Sequence, residues 1–138
     1  PRDELSAAGV EGFDQCEAPT AQTEEQYFYI DHDADARGAV NVALINPKFN
    51  EGQGIGLYLN YPKAELPHYT HWKMTGEGTY VIGLHPGNCL PEGRSSARQN
   101  GRLQLLDPGK SAAFHLEIGV LATPQDRAEF EARLQAAE

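Results

Sequence analysis

Cysteine, tryptophan and methionine are nearly missing from these 138 residues, which hold two cysteines, one tryptophan and one methionine. Two cysteines far apart, Cys16 and Cys89, make neither a disulfide framework nor a zinc signature. A reducing, cytoplasmic setting fits best, and a single disulfide stays open. Basic residues are scarce as well. Eleven Lys and Arg stand against 20 Asp and Glu, for a net charge of −9. That argues against a nucleic-acid partner, because neutralising phosphates needs a basic face. No apolar run reaches the roughly 18 residues of a membrane-spanning helix, and no charged-then-apolar leader argues for secretion. Internal repeats and low-complexity tracts are lacking too.

What is present suits one folded domain with a real core. Residues 1–24 are small, polar and acidic, and read as a loop or linker; residues 25–138 read as the domain. "EQYFYID" (Glu25–Asp31) is aromatic-rich and strand-like. "AVNVALI" (Ala39–Ile45) and "IGLYLNY" (Ile55–Tyr61) alternate with the period of strands. In the second, Ile55, Leu57, Leu59 and Tyr61 share one face. "YVIGLH" (Tyr80–His85) is another strand, followed by the long irregular stretch "PGNCLPEGRSSARQNG". "RLQLL" and "SAAFHLEIGVL", joined by the turn Asp107–Lys110, are expected to close the sheet with Phe114, Leu116, Ile118 and Val120 in the core. Thr123, Pro124 and Asp126 have the spacing of a helix start and a capping box. They predict a short terminal helix over Pro124–Ala137, with Phe130, Leu134 and Ala137 as its apolar stripe. The fold class is therefore all-β, an antiparallel β-sandwich or barrel with one C-terminal helix.

Several residues could carry chemistry. The glycines of "GQGIG" (Gly52, Gly54, Gly56) precede a strand, whereas a phosphate loop needs a following helix, so a hairpin turn is the better reading. His68 and His71, with His85 beyond, could bind a divalent metal on a cupin-like scaffold. They lack the tight H-x-H pair, and loop or ligand-contact roles stay open. His115 and Glu117 share a strand face, as an acid–base pair or a solvated pair. In "HYTHWKM" (His68–Met74), Trp72 and Lys73 have the chemistry to hold a sugar: an indole face packs on C–H groups and an ammonium donates to hydroxyls. A core indole with a solvated lysine is the alternative.

Taken together, W-K-M (Trp72–Met74), G-E-G-x-Y-V (Gly76–Val81), G-L-x-P-x-N (Gly83–Asn88) and P-E-G-R (Pro91–Arg94) resemble the C-terminal half of DUF4432, a bacterial family related to aldose 1-epimerases. "EQYFYIDHDADARG" (Glu25–Gly38) is similar to the segment that precedes it. The resemblance implies part of a galactose-mutarotase-like β-supersandwich with a carbohydrate groove, acting without a cofactor or metal. It implies that a carboxylate takes the proton from the anomeric hydroxyl while a histidine protonates the ring oxygen, so that the ring opens and recloses. His85 stands where the family has the Glu of G-L-E-P, and an imidazole can accept a proton near neutral pH. By the same matching Lys73, Trp72, Asn88 and Arg94 fall on motif positions, with Gln26 and His71 as further sugar contacts. Glu77 is expected to fix its turn. The expected partner is a small carbohydrate, bound by an epimerase or by a non-catalytic sugar-binding module. A second copy, or the family's N-terminal half with its acid histidine, would cover the sheet edges.

Overall fold

The computed structural model describes residues 1–135. Along the chain run α1 (Glu4–Ala8), a 3₁₀ turn (Val10–Gly12), β1 (Gln26–Ile30), β2 (Ala39–Asn46), α2 (Phe49–Gly52), β3 (Ile55–Pro62), β4 (His68–Gly76), β5 (Thr79–Gly87), α3 (Arg94–Gln99), β6 (Glu117–Leu121) and α4 (Pro124–Gln135). Two three-stranded antiparallel sheets form, in the orders β1-β4-β5 and β2-β3-β6. The mostly antiparallel β architecture with a short C-terminal helix is the one the strand periodicities predict. The chain divides into two compact units: Pro1–Asp31 with Pro67–Leu105, and His32–Leu66 with the chain from Leu106 onward.

The first unit is built on the β4–β5 hairpin. Its register sets Thr70 opposite His85, Trp72 opposite Gly83 and Lys73 opposite Ile82. On the other side β1 sets Gln26 opposite Lys73, Tyr27 opposite Trp72 and Tyr29 opposite Thr70. Side chains alternate across a strand, and opposed residues share a face. One face of the sheet therefore carries Tyr27, Tyr29, His68, Thr70, Trp72 and His85. The other carries Gln26, Phe28, Tyr69, His71 and Lys73, of which all but Gln26 are buried.

The first 24 residues correct the expectation of a loop or linker. Asp3 accepts from the Ser6 amide (2.9 Å) to start α1, and Ser6, fully buried, accepts from the Tyr27 amide (2.9 Å). The Arg2 amide donates to the Tyr27 carbonyl (2.9 Å). These bonds satisfy the outer edge of β1, which would otherwise present unpaired backbone groups. Further on, Thr20 bridges to the end of β4, taking the Thr75 carbonyl (3.1 Å) and giving its own to the Glu77 amide (3.0 Å).

In the second unit β3 lies between β2 and β6. Val40, Leu59, Tyr61, Leu66, Leu121 and Phe130 are buried there, each contributing about 1.5–3 kcal/mol by leaving water. Phe130 of α4 meets the Tyr58 ring at a centroid distance of 5.4 Å. The start of α4 is the expected capping box: the Asp126 amide donates to Thr123 Oγ1 (3.1 Å) and the Thr123 amide to Asp126 Oδ2 (2.8 Å). Leu134 of the expected stripe is 37% exposed, and Ala137 lies outside the described residues. The "GQGIG" segment does link two antiparallel strands, β2 and β3, through a turn in which Gly52 and Gly54 take left-handed φ of 89° and 71°.

Other expectations fail. "RLQLL" is not a strand, and Leu105 is 82% exposed. The stretch after it becomes a strand only at Glu117. Phe114, Leu116, Ile118 and Val120 are 46–60% exposed rather than in the core. The alternation has the expected period but the other side is the one that packs: Gly119 lies against Tyr58 and Leu121 against Gly56, and the opposite side of β6 has no cover among the described residues. Finally, the stretch read as irregular after Gly87 contains α3.

Candidate functional site

Trp72 lies in the middle strand of the first sheet, flanked by Tyr27 on β1 and His85 on β5. The Tyr27 and Trp72 rings are near-parallel (24°, centroids 6.3 Å apart), and so are Trp72 and His85 (20°, 6.4 Å). The Arg2 guanidinium sits 3.6 Å from the Tyr27 ring centroid and continues the row. Gly83, directly opposite Trp72, makes room for this. A Cβ there would stand 2.6 Å from His85 Nε2 and 3.2 Å from the Trp72 Cβ, so only glycine lets the imidazole lie over that position. The glycine of the G-L-x-P motif thus sets the posture of His85, which is exposed.

Glu25 completes the row. Its Oε2 accepts from the indole Nε1–H of Trp72 (3.1 Å) and from the Tyr27 hydroxyl (3.2 Å). Neither Glu25 nor Tyr27 falls on one of the motif positions. The signal is the two-residue spacing of Glu25, Tyr27 and Tyr29, which runs from just before β1 into it and repeats one face.

Lys73 is elsewhere. Adjacent residues of a strand point to opposite faces, so its ammonium lies on the far side of the sheet from Trp72 and His85. Nζ donates to the Gly12 carbonyl (2.8 Å) and to Glu17 Oε1 (2.8 Å), with the lysine side chain 5% exposed. The hydrogen bond from Lys73 holds the Glu17 carboxyl below the usual range. The pair ties the N-terminal segment onto the sheet. A cavity of about 450 Å³ lies beneath that segment, lined by Gln26, Lys73 and Thr75 among others, and its one ammonium is already committed. Gln26 donates to the Leu5 carbonyl (3.3 Å) and packs on Gly9, on the same side. His71 is buried there beside Phe28, and burial, aided by the Lys73 charge, lowers its pKa.

The remaining expected residues lie past the end of β5. Asn88 Nδ2 donates to Gln104 Oε1, and Gln104 Nε2 to the Asn88 carbonyl, both at 3.3 Å. Arg94 is the exposed first residue of α3. Of the seven expected site residues, then, Trp72 and His85 come together; Lys73, Gln26 and His71 gather on the opposite face. His68 and His71 also face opposite sides of β4, which separates the two proposed metal ligands. Among the described residues no group of three His, Cys, Asp or Glu side chains is placed to hold a metal ion. The His115–Glu117 pair is split as well: His115 Nδ1 bonds Glu65 (2.9 Å), and Glu117 accepts from the Tyr58 hydroxyl (2.6 Å).

The Trp72–His85 face offers an aromatic platform, a fixed carboxylate and an exposed imidazole. The crystal structure of a "putative aldose 1-epimerase" from Klebsiella pneumoniae subsp. pneumoniae MGH 78578 is similar to this chain, with a TM-score of 0.86 and 25% identity. The likeness covers 99% of this chain and 35% of that one, so the chain spans about a third of its length. The fold is that of an aldose 1-epimerase-like β protein. Residues 1–120 match the family described as "Domain of unknown function (DUF4432)", and the chain belongs to that family. No curated protein matches it.

Proposed function

We propose that the chain supplies the sugar-binding face of an aldose 1-epimerase-like protein. The observation that carries this reading is the near-parallel pair of Trp72 and His85, laid over Gly83 on one face of the sheet. A pyranose resting there sets its C–H groups on the aromatic row and its hydroxyls toward His85 and Glu25. His85 takes the proton of the anomeric hydroxyl. The ring C–O bond then breaks, the ring oxygen gains a proton, and the new C1 carbonyl turns and recloses on its other face. The acid that protonates the ring oxygen belongs, in this reading, to the part of the fold this chain does not span.

A second reading, a sugar-binding module without catalysis, is favoured by the imidazole standing where the family motif has its carboxylate. NMR distinguishes the two. The single indole N–H is followed while an aldose is added, and the exchange rate between its anomers is measured in the same samples. In a protein that carries this chain together with the rest of the fold, binding with faster exchange that disappears in His85→Ala supports the epimerase; binding without faster exchange there supports the module.

The exposed, unpaired thiols of Cys16 and Cys89 support a reducing cytoplasm, and the net charge of −9 supports a partner other than nucleic acid. No helix among the described residues is long and apolar enough to cross a membrane. The exposed Ile118 and Val120 on edge strand β6 support association, with a second copy or with the rest of the fold.

A further inference from the structure

The face that carries Trp72 and His85 continues along β4 toward a cavity of about 320 Å³ at the strand end, lined by Tyr29, Asp31, Pro67, His68 and Leu90 among others. His68 is opposite Gly87, and His85 is opposite Thr70. The two imidazoles are therefore diagonal neighbours on one face, a relation that puts side chains roughly 7–8 Å apart. Tyr29 is opposite the same Thr70 from the β1 side. The cavity thus begins one strand repeat, about 7 Å, beyond the Trp72–His85 row. That step is comparable with the length of one sugar ring.

The walls mix two chemistries. Pro67, Leu90 and Ile30 are apolar; the Tyr29 phenol, the His68 imidazole and the Asp31 carboxylate are donors and acceptors. The volume falls at the lower end of the range of ligand cavities, about 300–1,000 Å³. Such a space accepts a compact polyol with both C–H faces and hydroxyls. Burial pushes the Tyr29 phenol up, so it is an O–H donor at neutral pH.

We propose that this cavity is a second saccharide subsite, in which Tyr29 and His68 bind the neighbouring unit of a disaccharide or glycoside whose reducing ring rests at Trp72 and His85. The proposal rests on the reading of that row as a sugar platform. The ligand class becomes a saccharide of at least two units, and Tyr29 and His68 become its specificity-determining residues.

The test titrates the 138-residue chain with D-galactose, D-glucose, lactose and maltose, following the single indole N–H of Trp72 by NMR. At least one disaccharide should bind about tenfold more tightly than its component monosaccharides, a difference of about 1.4 kcal/mol. His68→Ala should remove most of that preference. Tyr29→Phe, which deletes only a hydroxyl and keeps the ring, should reduce it about threefold, on the scale of one neutral hydrogen bond. Equal affinity for disaccharide and monosaccharide in the unmodified chain overturns the subsite and leaves the platform standing. A preference that survives in both variants also overturns it. If none of the four sugars moves the indole resonance, the platform reading falls and the subsite with it.

Discussion

The imidazole of His85 lies within 20° of parallel to the indole of Trp72, their centroids 6.4 Å apart, across the β4–β5 pair. The arrangement depends on Gly83, which stands beneath the imidazole and opposite Trp72. Gly83→Ala should force the ring away, because a methyl would sit 2.6 Å from Nε2. The expected result is a displaced Trp72 indole N–H resonance and at least a tenfold loss of sugar affinity, about 1.4 kcal/mol, with the β-sheet content by circular dichroism retained. An unchanged indole resonance would contradict this role for Gly83.

Lys73 has a structural task. Its ammonium joins Gly12 and Glu17 to the face of the sheet away from Trp72. Lys73→Met should lower the unfolding free energy by about 2 kcal/mol, the scale of a charge-assisted hydrogen bond with a partly exposed partner. Urea denaturation measures this. The sugar-induced shift of the indole should persist, since the ammonium and the platform lie on opposite faces. Loss of that shift without loss of stability would return Lys73 to the binding site.

Acid should destabilise the first unit in two stages. Burial lowers the pKa of His71 from 6.5; the Lys73 charge and, more weakly, His85 act in the same sense, while a backbone hydrogen bond to Phe13 and the charge of Asp14 oppose it. Below pH 6.5 the unfolded chain therefore binds a proton that the folded chain refuses, and stability falls as pH drops toward the lowered value. Glu17 gives a second, lower stage. Its pKa is lowered from 4.5 by Lys73, so its contribution is present above 4.5 and is lost as pH falls through the folded value. Urea midpoints measured from pH 7 to pH 3 should show both stages. His71→Gln should flatten the upper one, and Lys73→Met the lower one.

Much of the local structure could be read from residue order alone. Thr123 and Asp126 form the capping box that their spacing announces, and the alternation of Ile55–Tyr61 does mark a strand. The same period also forbade Trp72 and Lys73 from sharing a face, yet a contiguous W-K motif invites reading them as one site. Other features needed the tertiary fold. Lys73 meets Glu17 across 56 residues, and no local pattern pairs them. Alternation in Phe114–Val120 marks two faces without saying which one another element covers. The six-residue helix α3 is too short for helical periodicity to be visible. Glu25 is the instructive omission: it precedes β1, and only the pairing of β1 with β4 brings it to the Trp72 indole.

The central claim, that a sugar ring rests on the Trp72–His85 face, is tested most directly by the one indole N–H of the protein. That proton is bonded to Glu25 at the rim of the row. In a ¹⁵N–¹H titration with aldoses it should shift saturably, and His85→Ala should weaken the response about tenfold or more. An indole resonance that stays fixed through every aldose tried, or that moves equally well without the imidazole, would contradict the claim.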